Sequence, residues 1–189
     1  MKQIIVPALK PDQDPLLAGR LDGKRFFLRT LEELPVLSEP TVIVLDFKGV
    51  ELATSSFLNE ALPPLRDHLR LRRPGGYVVL ANLAEKVREE LETLLSRMGD
   101  AFLTVETTQA GAVTKAELVG VLDQKLLDTL ELVRSKGETT AVELHSDSAD
   151  SAIGATAWNN RLAALASKSL IVELPQGRSK KYRPVLEKA

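Results

Sequence analysis

The sequence predicts an α/β layer followed by a smaller α+β unit, and three observations carry that expectation. Short continuous apolar runs, such as VIVL at 42–45, alternate with amphipathic segments of helical period as far as residue 106. A run of small residues, TTQAGAVT at 107–114, interrupts the alternation. Beyond it, leucine-patterned helices lead into a basic hairpin.

Residues 3–9 read as a short strand, with Pro7 marking an edge or a bulge. Residues 10–15 form a turn-rich loop. From Lys24 to Leu34 the apolar spacing is helical, with Gly23 in the turn before it. Residues 41–46 read as a central strand covered on both faces. Residues 56–71 follow as a helix, and Pro63-Pro64 predict a break near Leu62, since an internal proline removes a hydrogen bond and clashes with the preceding turn. Residues 77–82, 84–98 and 102–106 then read as strand, helix and strand. The order implies mostly parallel pairing.

Residues 107–121 are expected to be a linker or hinge, with 115–121 either a short strand or a helix start. Residues 122–135 predict a helix ended by Gly137, and 140–145 a short helical segment. A polar loop covers 147–154. Residues 155–168 predict an amphipathic helix with Trp158, Leu162 and Leu165 on its apolar face. Strands at 170–175 and 181–186 flank a turn at 176–180. The expected division is therefore 1–106, a hinge at 107–121, and 122–189.

Composition narrows the function classes. Of 189 residues, 44% are apolar and 27% charged, as in soluble globular proteins. The chain has no cysteine, which excludes disulfides, thiolate metal sites and a cysteine nucleophile, and permits a cytoplasmic setting. Its two histidines, His68 and His145, are too few for a multi-histidine cage, so no metal is expected. No apolar run approaches the roughly 20 residues that span a bilayer, and the N-terminal stretch does not read as a signal peptide. Nucleotide-binding and zincin motifs are missing from the sequence. The pair Glu89-Glu90 reads as a solvated helix face. No cofactor and no catalytic residues are expected.

Charge is unevenly spread. Residues 155–189 carry 7 Lys+Arg against 2 Asp+Glu, while 108–154 carry 4 against 8. A basic end on an acidic chain suggests contact with a polyanion.

The stretch VIVLDFKGVELATSSFLNEAL at 42–62 joins an apolar strand, Asp46, a turn, a serine pair and a helix. It resembles the STAS fold of bacterial anti-sigma-factor antagonists, and more closely the STAS-like branch with its D-F-x-G-V-x-x-x-x-S-S-F pattern. The resemblance implies a mixed sheet with packed helices, a module that binds partners, and a position for Ser55 at the usual phospho-serine, with Asp46 and Ser56 beside it in the motif. Thr54 stands where antagonists carry aspartate, and Phe57 where they carry glycine. Three roles for the serines stand open: a helix cap, a phosphorylation site served by an ATPase-like kinase, and an anion site at the helix start.

The C-terminal segments ETTAVELHS (138–146), ATAWNNRLAALASKSLI (155–171) and VELPQGRSKKYRPV (172–185) resemble the second helix, recognition helix and wing of a winged helix-turn-helix. The resemblance implies that Thr156, Asn159, Asn160 and Arg161 face DNA bases. It also implies that Arg178, Lys180, Lys181 and Arg183 neutralise phosphates. Asp147 and Asp150, near the same face, would repel them. The expected function is a cytoplasmic bacterial DNA-binding regulator, with double-stranded DNA, a regulatory protein and a second copy of the chain as partners and no membrane. The alternative is an antagonist-type protein–protein switch that does not bind DNA.

Overall fold

The computed structural model describes residues 1–73, 75–108, 112–147, 154–177 and 179–186. The chain divides into two compact units, Met1–Val121 and Leu122–Lys188.

The first unit is built on a five-stranded mixed sheet. Strands β1 (Lys2–Pro7), β3 (Thr41–Asp46), β5 (Gly76–Ala81) and β6 (Ala101–Thr107) run parallel, and β7 (Val113–Gly120) closes the order β1-β3-β5-β6-β7 antiparallel to β6. A two-strand ladder, β2 (Leu16–Leu17) with β4 (Leu52–Ala53), lies outside it. Helices α1 (Arg20–Glu33), α2 (Ser55–Arg72) and α3 (Glu85–Met98) connect the parallel strands. Each crossover advances one position in the same direction, so right-handed connections set all three helices on one face. Ile43, Leu45, Val78, Leu80 and Phe102 project to that face, where they pack with Phe26, Phe57, Leu58, Leu65, Leu69, Leu91 and Leu95. Each such buried leucine or phenylalanine contributes about 1.5–3 kcal/mol.

Three expectations are corrected in this unit. The helix expected from Lys24 begins at Arg20, and Gly23 lies inside it. A Cβ on Gly23 would stand 2.5 Å from the Phe57 carbonyl oxygen, so glycine is what lets α1 and α2 approach. The helix expected to break near Leu62 continues through Pro63 and Pro64 to Arg72. Burial of Leu58, Ala61, Leu62, Leu65 and Leu69 along one side holds it together in spite of the lost bonds. The segment 107–121, expected as a hinge with 115–121 either a short strand or a helix start, is largely β7, which pairs with β6 in antiparallel register from Phe102↔Val119 to Glu106↔Lys115. Glu106, Lys115, Glu117 and Arg88 form ion pairs along it. Residues 109–111 of that segment lie outside the described residues.

A buried ion pair ties the unit together. Arg66 on α2 reaches Asp100 at 2.5 Å, donates to the Ala101 carbonyl at 3.3 Å, and stacks 4.5 Å above the Phe102 ring.

The second unit contains α4 (Gln124–Lys136), α5 (Ala141–Asp147), α6 (Ala155–Ser167) and the hairpin β8 (Ile171–Gln176) with β9 (Ser179–Pro184). Asp123 caps α4 by accepting from the Leu126 amide at 2.9 Å. Thr140 and Glu143 cap α5 reciprocally: the Glu143 amide donates to Thr140 Oγ1 at 3.1 Å and the Thr140 amide to Glu143 Oε2 at 2.7 Å. That bond from the Thr140 amide is the main reason the Glu143 carboxyl titrates below its usual range. An isolated bridge between Thr139 and Tyr182 lays the α4–α5 connection alongside the hairpin. Leu130, Val133, Leu144, Trp158, Leu162, Leu165, Ile171 and Tyr182 are buried. Burial, with Glu173 beside it, pushes the Tyr182 hydroxyl up to about 12.

Candidate functional site

The start of α2 is the best-defined polar site of the first unit. Thr54 is the N-cap: its Oγ1 accepts from the Phe57 amide at 3.4 Å and from the Gly19 amide at 3.2 Å. The cap thereby also fastens the entry of α1, and such a cap contributes about 1 kcal/mol. Ser56 is exposed, with its Oγ 3.1 Å from Thr54 Oγ1.

Ser55 faces inward to α3. Its amide donates to Glu90 Oε2 at 2.9 Å, and its hydroxyl donates to the same carboxylate oxygen. The hydroxyl contact, then the amide contact, hold the Glu90 carboxyl below its usual range. Glu90 is therefore no member of a merely solvated glutamate pair, as its sequence neighbourhood suggests. It is the partner of the serine, supplied from 35 residues away.

Asp46 serves a different junction. Its Oδ1 accepts from the Lys48 amide at 3.0 Å and from Asn82 Nδ2 at 2.7 Å. Asn82, in the left-handed region at φ 56, also donates to Thr107 Oγ1 at 2.9 Å and accepts from the Thr107 amide at 3.0 Å. Asp46 and Asn82 thus bind together the carboxyl ends of β3, β5 and β6. The sequence links Asp46 with Ser55 by spacing, but their hydrogen bonds lead to the sheet ends and to α3 respectively. Asn82 was not legible as a site residue; an asparagine directly after an apolar strand, suited to positive φ, is the signal that could have found it.

In the second unit, Thr156, Asn159 and Asn160 are exposed on α6, opposite the buried Trp158, Leu162 and Leu165. Arg161 is half-buried, its guanidinium 4.9 Å from the Trp158 ring centroid. Lys180 pairs with Glu173 and Lys181 with Glu138, each at 2.8 Å. The Glu138 contact raises the Lys181 pKa and keeps it cationic. Arg183 is half-buried with its Nε enclosed and lacking an acceptor, so it presents less charge outward than the sequence suggests. Asp147 is paired with Lys136 at 2.6 Å. Arg178 and Asp150 lie outside the described residues.

Among the described residues no cluster of His, Cys, Asp or Glu is arranged to hold a metal, and no helix is long and apolar enough to cross a membrane.

A family model described as the STAS-like domain of unknown function (DUF4325) matches residues 22–67. The match runs from α1 through β3 and the serine pair into α2, and it supports the STAS-like character of the α/β unit. No curated protein compared with the chain matches it.

Proposed function

We propose that this chain is a non-catalytic bacterial regulator. A STAS-like interaction module in its first unit controls a winged helix-turn-helix in its second, which binds double-stranded DNA. The observation that carries the DNA half is the exposed triad Thr156, Asn159 and Asn160, set on the helix directly preceding a hairpin that bears Lys180 and Lys181. The order α4, bridge, α5, α6, β8, β9 supports the winged-helix reading, in which Thr139 takes the place of the short first strand. Asparagines on such a helix can bond adenine edges in the major groove. The ion pairs of the two lysines are no obstacle, because exposed pairs contribute only about 0–1 kcal/mol and a phosphate can replace the carboxylate.

A mobility-shift titration with duplex DNA at low salt tests the proposal. Binding that weakens steeply with added salt, and weakens further in Lys180→Glu and Lys181→Glu, is expected. No retardation at low salt refutes it.

One observation favours a second function, a protein-interaction switch without DNA binding. Phosphate on Ser55 would remove the hydroxyl's hydrogen bond to Glu90 and set about −1.5 to −2 charges against that carboxylate. Mass spectrometry after incubation with an ATPase-like kinase tests it, and an unmodified Ser55 and Ser56 would count against it.

A further inference from the structure

A cleft of about 390 Å³ opens in the first unit, beyond the end of β1 and beside the start of α1. It lies outside the carboxyl end of β1, an edge strand of the sheet. The volume suits a small organic molecule. Its apolar wall is made by Leu17, Phe26 and Phe57, all buried, and its polar wall by Asp22, Arg25 and Arg29.

The two arginines differ in a useful way. Arg29 is fixed: its Nη2 donates to the carbonyls of Pro7 and Ala8 at 3.2 and 3.1 Å, and its guanidinium stacks 5.0 Å from the Phe26 centroid. Both carbonyl bonds use Nη2, which leaves Nη1 for another acceptor. Its Nε is buried without a hydrogen-bond acceptor, because Glu33 Oε1 stands off at 3.9 Å. A guanidinium held in this way loses little freedom on binding. Arg25 is exposed by comparison, with 69% of its side chain accessible and Asp22, at 3.0 Å, as its ion-pair partner among the described residues. An exposed pair of this kind exchanges partners at little cost. Around the cleft Arg25 pairs with Asp22 at 3.0 Å, and Arg29 and Lys10 share Glu33 at 3.9 and 3.6 Å, so three cations stand against two carboxylates and one positive charge is in excess. That balance favours a monoanion over a dianion, and the planar fork of arginine matches a carboxylate.

We propose that this cleft binds a small organic monocarboxylate with an apolar or aromatic body, the carboxylate meeting Arg29 and Arg25 and the body lying against Phe26 and Leu17. The first unit then senses a metabolite-sized acid in addition to any protein partner. The proposal goes beyond the DNA-binding reading and does not rest on it, since either can fail while the other stands.

The test is a series of amide ¹H–¹⁵N correlation spectra of the full chain, titrated with benzoate, with benzamide as neutral isostere and with phenyl phosphate as dianion. Benzoate is expected to give saturable shifts at Ala8, Gln13 and residues 22–29, benzamide none that saturate over the same range, and phenyl phosphate weaker ones. Arg25→Glu, at an exposed position, should keep the spectrum of the folded protein and weaken benzoate at least tenfold. Arg29→Met should weaken it further if its spectrum stays dispersed. Absence of saturable benzoate shifts, equal binding of benzamide, tighter binding of phenyl phosphate, or an Arg25→Glu protein that binds unchanged would each overturn the proposal.

Discussion

Glu90 holds Ser55 through both its amide and its hydroxyl, and this pairing gives the residue scale its sharpest expectation. Those bonds lower the Glu90 carboxyl below its ordinary value of 4.5. A depressed carboxylate contributes stability that is complete above its unfolded pKa and is lost as pH falls through the folded one. Acidification from about pH 4.5 downward should therefore lower the melting temperature of the native protein more steeply than that of Glu90→Gln, as thermal melts across pH 3–7 would measure. Ser55→Ala should reduce the same pH dependence without abolishing it, because the amide bond to Glu90 stays in place. The serine pair was legible as a helix start because Ser and Thr before an apolar run are cap residues. Which residue caps was settled by space: Thr54 reaches the Phe57 amide, and Ser55 turns away to α3. Glu90 was not legible, because nothing in the local pattern of α3 announces a partner on another helix.

At the scale of the element, glycine and proline behave against their usual rules. Gly→Ala inside a helix ordinarily stabilises by about 0.5–1 kcal/mol. At Gly23 the added methyl would meet the Phe57 carbonyl at 2.5 Å, a backbone atom that cannot swing aside. Gly23→Ala should instead destabilise by about 1–3 kcal/mol, read as a lower urea midpoint. Asp100→Asn should cost about 3 kcal/mol or more, since it leaves the guanidinium of Arg66, 7% exposed, without its counter-charge. Equilibrium denaturation checks both. The central strands β3 and β5 were legible because their runs are almost wholly apolar, as in Val42 to Leu45, where every residue is buried. Strand β7 was legible only as one of two alternatives, because its burial alternates poorly and a small-residue run precedes it. Continuation of α2 through Pro63-Pro64 was hidden, since the packing that sustains it comes from elements distant in sequence.

At the scale of the whole molecule, the proposed pairing of a STAS-like interaction unit with a DNA-binding unit makes salt-dependent DNA binding the expected behaviour. Substitutions in the second unit should separate into two kinds. Lys180→Ala should weaken binding to all sequences alike and reduce the log–log salt slope by about one. Asn159→Ala and Asn160→Ala should leave that slope in place and cost about 1–3 kcal/mol of discrimination against non-cognate DNA. Titrations on cognate and random duplexes at several salt concentrations distinguish the two. The helix–hairpin order was legible in the 3.6-residue period and the turn at Gly177; the ion pairs that hold the wing lysines were not, because Glu138 and Glu173 come to them only through folding. The sole tryptophan of the chain, Trp158, is buried on the inner side of the proposed recognition helix with Arg161 stacked on its ring. A cation that leaves an indole face to meet a phosphate changes the ring's electrostatic surroundings. The protein thus carries its own optical reporter, and the intrinsic fluorescence of one residue would register engagement of that helix without any label.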